Sequence, residues 1–313
     1  MAAAQRALRS EEGLLPRLAR CGALVGDGAW GTQLMQRGLP DGQPPEWFAL
    51  ERPEVIEEVA RLYVAAGADL VTTDTFGANS FRLALHGLDK ELARVNRQAV
   101  EAVRRAVAGR ALVSASVGPS GRLLEPFGDV SLPALEAAFA EQIAVLAEAG
   151  ADLVCIETMS DLNEAVAAVR AAKRVAPELP VMATMTFERT PRGYFTVMGT
   201  SVAAAVAGLA AAGADVIGSN CGTGIEDMVE IARAMTRTAK LPLAFQPNAG
   251  LPDTRDGALV YHQPPQQMAA RVPELLALGV AIVGGCCGTT PDHVRALRQA
   301  VDAWTAADPG GLR

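Results

Sequence analysis

A chain of 313 residues, half of them hydrophobic, can bury a large core; a formal net charge of -7 with no long run of Lys and Arg excludes nucleic acid and anionic membranes as main partners. No apolar run approaches the roughly 18 to 20 residues needed to span a bilayer. Five cysteines, an odd number in a chain without an export signal, argue against a disulfide framework and for metal or catalytic use of some of them.

Met1 to Arg20 is Arg-rich, opens with alanines and contains Glu11 and Glu12. It lacks the apolar core of a secretory signal and reads as an N-terminal helical extension, residues 1–20, on a cytoplasmic protein. Short β-rich runs then alternate with helical patterns. The expected strands are Leu24–Ala29, Asp69–Thr75, Ala111–Val117, Asp152–Thr158, Pro180–Phe187, Asp215–Cys221, Pro242–Pro247 and Ala281–Cys286. Nearly continuous apolar runs of this kind suit parallel strands buried on both faces. The expected helices are Pro53–Ala66, Asp89–Ala108, Leu132–Ala149, Asp161–Val175, Ser201–Ala212, Gly224–Ala239, Pro264–Leu278 and Pro291–Ala306.

A local repeat supports the alternation. Ala66-Gly67-Ala68-Asp69 returns as Ala149-Gly150-Ala151-Asp152 and as Ala212-Gly213-Ala214-Asp215, with a degenerate copy at Leu278-Gly279-Val280-Ala281. Each copy is a helix end, a glycine stop and a buried strand. Eight such units predict an α/β fold, a closed (β/α)8 TIM barrel in a single domain, residues 21–306, followed by a flexible tail at 307–313. An open doubly wound sheet is the alternative. Against it, Gly26-Asp27-Gly28 lacks the spacing of a dinucleotide fingerprint.

In a barrel the C-terminal ends of the strands converge on one mouth. In order, those ends carry Asp27, Asp74-Thr75, Ser116, Glu157-Thr158, Thr184 or Thr186, Asn220-Cys221, Gln246 with Asn248, and Cys286-Cys287. Polar residues at nearly every strand end are not needed for packing and predict a polar site. Cys221, Cys286 and Cys287 offer three thiolates and one open position, the pattern of a catalytic zinc site. The competing reading is three small buried hydrophobes. Cys21 and Cys155 read as structural, and His262 and His293 as loop or capping residues.

These residues resemble the homocysteine S-methyltransferase family over almost the whole chain. Asn220-Cys221 with Gly284-Gly285-Cys286-Cys287-Gly288 is similar to its three-cysteine zinc motif. Asp27-Gly28-Ala29-Trp30-Gly31-Thr32, Thr73–Asn79, Gly118-Pro119-Ser120-Gly121 and Glu157-Thr158 with Glu164-Ala165 match as well. The pattern is most like the homocysteine-binding module of cobalamin-dependent methionine synthase. The resemblance implies that Cys221, Cys286 and Cys287 are catalytic ligands of Zn2+, and that the metal-activated thiolate of homocysteine attacks a methyl donor. It implies substrate contacts from Asp27 and Glu157 to the ammonium and from Gly28, Ala29 and Ser116 to the carboxylate. It also implies that Asn248 can stand in the fourth zinc position.

The 313 residues carry no Asp-x-His-x-x-Gly corrinoid-binding motif. The donor is therefore expected either as methylcobalamin on a separate corrinoid protein, which the methionine-synthase-like sequence favours, or as a small molecule such as S-methylmethionine, S-adenosylmethionine or betaine. A thiol methyltransferase with another acceptor and a non-enzymatic thiol-metal barrel complete the readings.

Overall fold

Three copies of the Gly-Ala-Asp turn lay down the floor of the structure. Gly67, Gly150 and Gly213 stand at φ of 99°, 95° and 101°, a left-handed stop that L side chains avoid. The aspartate that follows makes two bonds to the strand before it. Its own N–H donates to a carbonyl: Asp69 to Val25, Asp152 to Val113 and Asp215 to Val181, at 2.7 to 2.9 Å. Its carboxylate accepts the N–H of that same residue, at 2.8, 2.7 and 2.7 Å. The repeat is thus a clamp between neighbouring strands. The degenerate copy keeps its glycine, Gly279 at φ 82°, but has no carboxylate.

The structure is a computed structural model and describes residues 12–255 and 258–307. Its barrel strands are β1 (Leu24–Val25), β2 (Leu70–Thr72), β3 (Leu112–Val117), β4 (Leu153–Met159), β5 (Val181–Met185), β6 (Val216–Asn220), β7 (Leu243–Gln246) and β8 (Val280–Val283). They form one parallel sheet in the order β1-β8-β7-β6-β5-β4-β3-β2. The remaining seam, β1 to β2, is joined by the Asp69 N–H to Val25 carbonyl bond and by side chains. Asp69 clamps its lower end, and at the upper end Asp27 accepts the Thr72 N–H at 2.7 Å and the Thr72 hydroxyl at 2.9 Å. Helices follow each strand, so the chain is the single-domain (β/α)8 barrel expected.

The barrel interior is filled by Leu24, Leu70, Leu112, Leu153, Cys155, Met182, Val216, Ala244 and Ile282. A helix at Leu14–Cys21 adds Leu14 and Leu18 to this cluster. Burying two leucines is worth about 1.5–3 kcal/mol each, so this part of the expected N-terminal extension packs as part of the barrel. The rest of that extension, residues 1–11, and residues 308–313 of the expected tail lie outside the described residues. Ala307 still belongs to the last helix, Pro291–Ala307.

Some boundaries differ from expectation. β8 ends at Val283, so Cys286 lies beyond the strand; there the chain leaves the ladder and the Cys286 N–H donates to the Pro247 carbonyl at 2.8 Å. The seventh helix is two short ones, Pro265–Ala270 and Val272–Ala277, because Pro273 has no N–H to continue the first. The helix expected to run to Ala239 stops at Met235. Two long mouth loops contain hairpins, Glu188–Thr190 with Gly193–Phe195 and Asp253–Arg255 with Ala258–Val260.

Candidate metal and substrate site

The three cysteines predicted from strand ends meet at the mouth. Their Sγ atoms all lie within 4.8 Å of one another, and Cys221 and Cys287 are 3.8 Å apart. That separation is far beyond the roughly 2.05 Å of a disulfide, and all three are free thiols. Each is held by backbone. Cys221 stands at φ 58°, and its N–H donates to the Gln246 carbonyl at 3.1 Å. Cys286 and Cys287 lie against the Pro247–Ala249 segment, through Cys286 N–H to Pro247 O at 2.8 Å and Ala249 N–H to Cys287 O at 2.9 Å. Gly288 follows at φ 77°, where a Cβ would fall 2.1 Å from Cγ of Tyr261. That contact and the left-handed backbone both require glycine directly after the pair.

Hydrogen bonds from Cys221 and Cys286 pull the Cys287 thiol down to about 3, while sharing among the sulfurs pushes Cys286 well up. The raised Cys286 thiol reflects the cost of placing further negative charge beside Cys287, a cost that a bound cation would offset. Cys221, Cys286 and Cys287 could thus hold one soft metal ion.

The sulfurs form one wall of a cavity of about 440 Å³, within the range of small-ligand sites. Asp27, Gly28, Ala29, Ser116 and Glu157 also line it. Glu157 accepts the Ser116 hydroxyl at 2.5 Å on Oε1 and the Asn220 amide at 3.3 Å on Oε2. Burial raises it to about 7, with the Asp27 charge adding to the shift. Asp27 is raised to about 6 by burial, and its Oδ2 also accepts Trp30 Nε1–H at 2.8 Å. With Thr72 and Trp30 as donors, Asp27 already serves the barrel seam. Of the backbone donors expected, the Ala29 N–H is taken by Thr289 Oγ1 at 3.1 Å and the Ser116 N–H by Thr73 Oγ1 at 3.1 Å.

Asn248 is buried and is not part of the cavity lining. Its N–H donates to the Thr223 carbonyl at 3.0 Å, and its Oδ1 has no hydrogen-bond partner among the described residues. His293 is a capping residue, with Nδ1 accepting the Thr290 N–H at 3.2 Å and Nε2 on the Gln263 carbonyl at 2.9 Å. His262 lies 3.0 Å from Asp253. Cys155 is buried in the barrel interior, where desolvation raises its thiol.

Two features of the site were not anticipated from sequence: the pairing of Asp74 with Glu46, and the contacts that Asn220 makes. Glu46 and Asp74 are buried carboxyls that line the same cavity, as do Phe76, Arg82 and His86. Burial raises both, and Glu46 raises Asp74 further. Glu46 comes from the stretch between the first strand and first long helix, which carried no pattern to read. The other feature is Asn220, whose side chain touches Glu157, Thr158, Thr184 and Cys286. Its place directly before Cys221 was its only signal.

A sequence model described as homocysteine S-methyltransferase matches residues 24–301. Methionine synthases of Mycobacterium leprae and Mycobacterium tuberculosis are each 34% identical over 297 residues, covering 89% of this chain and 24% of theirs. The chain thus spans about a quarter of the length of these curated relatives. Among solved structures, the homocysteine methyltransferase MmuM from Escherichia coli in its metallated form is 27% identical with a TM-score of 0.77, covering 91% of this chain and 99% of that one. Its apo form is 28% identical with a TM-score of 0.70, covering 89% and 95%.

Proposed function

The chain belongs to the homocysteine S-methyltransferase family, and we propose that it transfers a methyl group to the sulfur of homocysteine with one zinc ion held by Cys221, Cys286 and Cys287. The observation that carries this reading is the sulfur cluster opening on the cavity that Glu157 also lines. Thiolates about 2.3 Å from a tetrahedral zinc lie about 3.8 Å apart, and Cys221 and Cys287 have that spacing. Zinc bound there would supply a deprotonated substrate thiol, the nucleophilic form of sulfur.

The protein's own residues would do the rest. The Glu157 carboxylate, oriented by Ser116 and Asn220, binds the substrate ammonium. Gly28 is the remaining backbone donor of the expected three for the substrate carboxylate, since Ala29 and Ser116 have spent theirs. Asp27 holds the β1–β2 edge on which that loop rests and adds negative charge near the ammonium. Asn248 supports the Cys286-Cys287 loop from the neighbouring segment. The barrel spans residues 21–306 as one domain. The reading includes a cytoplasmic location, because free thiols in this cluster need a reducing compartment. Among the described residues no helix is long and apolar enough to cross a membrane.

For the methyl donor, the reading is a methyl-corrinoid carried by another protein or module. The likeness to methionine synthases supports it, and so does the rim of the mouth. Met35, Leu85, Leu123, Phe127, Leu132, Val197, Met198 and Leu251 are exposed on segments that follow strand ends, with Phe127 85% exposed. A small cationic donor is the second reading, favoured by Asp74, Glu46 and Phe76 in the cavity lining. The test is methionine formation from homocysteine with zinc-loaded protein and a panel of methylcobalamin, S-methylmethionine, S-adenosylmethionine and betaine. No methionine from any donor, with one zinc bound, overturns homocysteine as the acceptor.

A further inference from the structure

Asn220 ends β6 with its side chain fully buried, and it has more neighbours than an amide can serve at once. The Thr158 N–H can only donate, and it lies 2.8 Å from Oδ1, so Oδ1 is fixed as the acceptor. The Thr184 hydroxyl donates to the same oxygen at 2.7 Å. Nδ2 then faces three acceptors: Thr158 Oγ1 at 2.8 Å, Glu157 Oε2 at 3.3 Å and Cys286 Sγ at 3.8 Å. It has two N–H groups. One belongs to Thr158, the shortest contact. The other is shared between the carboxylate and the sulfur.

The grip on Thr158 has its own consequence. Thr158 stands at φ 61°, a left-handed conformation rare for a β-branched residue. Both its N–H and its hydroxyl are bonded to Asn220. That two-point hold sustains the strained backbone next to Glu157 and sets the direction of the carboxylate.

We propose that Asn220 is a positioning residue that couples recognition of the substrate's ammonium at Glu157 to retention of metal at Cys286, a coupling that rests on the zinc-homocysteine reading above. A hydrogen bond goes to the acceptor with more unneutralised charge. When an ammonium pairs with Glu157, the shared N–H turns to the Cys286 sulfur and stabilises its thiolate. A thiol that carries the ammonium therefore holds the metal more firmly than the same thiol without it. Sequence spacing alone gives no hint of this link, since Glu157 and Cys286 come from opposite sides of the barrel.

The test measures zinc loss to a chelator, with homocysteine or 4-mercaptobutyrate (the same thiol and carboxylate without the amine) bound. In the native protein, homocysteine should slow zinc loss about tenfold or more beyond 4-mercaptobutyrate, a size typical of groups that support metal ligands. In Asn220→Ala the two thiols should protect equally. If Asn220→Ala does not fold, Thr184→Val removes only one bond to Oδ1, and the homocysteine advantage should shrink there. An unchanged advantage in the folded variant overturns the coupling while leaving zinc and homocysteine binding intact. Native protein that holds no zinc overturns the proposed function, and the coupling with it.

Discussion

Cys221 and Cys287 stand 3.8 Å apart at sulfur although 66 residues separate them in the chain. Nothing local brings them together. Cys221 is bonded to Gln246 at the end of β7, and the Cys286-Cys287 loop to Pro247 and Ala249 just beyond it. The β7 end is therefore the post on which both halves of the sulfur cluster hang. Native protein should bind one zinc per chain, and Cys221→Ala or Cys287→Ala should bind it poorly. Loss of metal-derived stabilisation of several kcal/mol corresponds to a fall of roughly a hundredfold or more in kcat/KM. Metal analysis beside the kinetics checks this, and full activity without zinc would overturn the metal assignment.

Glu157→Gln keeps the shape of the side chain and removes its charge. A charge-assisted hydrogen bond is worth about 1.5–3 kcal/mol, so KM for homocysteine should rise ~10- to 100-fold. Zinc should stay at one per chain, since all three thiols remain. Binding of 4-mercaptobutyrate should be nearly unaffected, and an equal loss for both thiols would rule out an ammonium contact.

Asp74 and Glu46 make a different prediction, about stability and pH. Burial raises both carboxyls above their ordinary range, and their mutual repulsion raises Asp74 further. Their pKa values in the folded state exceed the unfolded ones, so folding takes up protons between the two. Stability from these groups is present below about pH 4, the unfolded carboxyl range, and is lost as pH rises through the folded values. Asp74→Asn should raise Tm by a few degrees at pH 8 and change it little at pH 4, because the unmet polar cost at such a site is about 1–3 kcal/mol or more. Thermal melts at the two pH values check it, and equal shifts at both would contradict it.

The barrel was legible because its signals are local. A Gly-Ala-Asp turn announces a helix stop and a strand start wherever it occurs, and the structure adds that its carboxylate clamps the strand before. The sulfur cluster was legible as residue types at strand ends. What could not be read were relations across the mouth. Asp27 is bound to Thr72 across the seam, Asn248 is bonded to Thr223 rather than set on the cavity wall, and Asn220 spans from Glu157 to Cys286. These depend on how non-adjacent loops settle against each other, and no periodicity encodes that. Glu46 was invisible for the same reason, because its burial comes from packing against the Phe76-Gly77 turn.

The lower seam offers a stability test far from the chemistry. Arg298 of the last helix donates to Asp69 at 2.8 Å, and both side chains are nearly buried. Arg298→Met removes this ion pair while Asp69 keeps its bond to the Val25 N–H, so the loss is that of one charge-assisted hydrogen bond, about 1.5–3 kcal/mol. Tm should fall by a few degrees, with KM for homocysteine unchanged. Adding Asp69→Asn should recover part of the loss, and strictly additive effects would mean the pair does not interact.

The exposed apolar rim separates the two readings of the methyl donor. A macromolecular donor must cover the mouth, and Phe127 and Val197 stand exposed on loops after β3 and β5. Replacing Phe127 by Asp places a charge in any such interface, while the cavity wall, of which Phe127 is not part, stays as it was. With a methyl-corrinoid protein as donor, Phe127→Asp should raise the KM for that protein about tenfold or more, the loss expected at a buried aromatic anchor. With free methylcobalamin the rate should stay within about twofold of native, since surface substitutions away from a contact change little. Equal rates with both donors would remove the rim from the donor interface. Efficient turnover of a sulfonium or quaternary ammonium donor, lost on Asp74→Asn, would instead favour the small cationic donor.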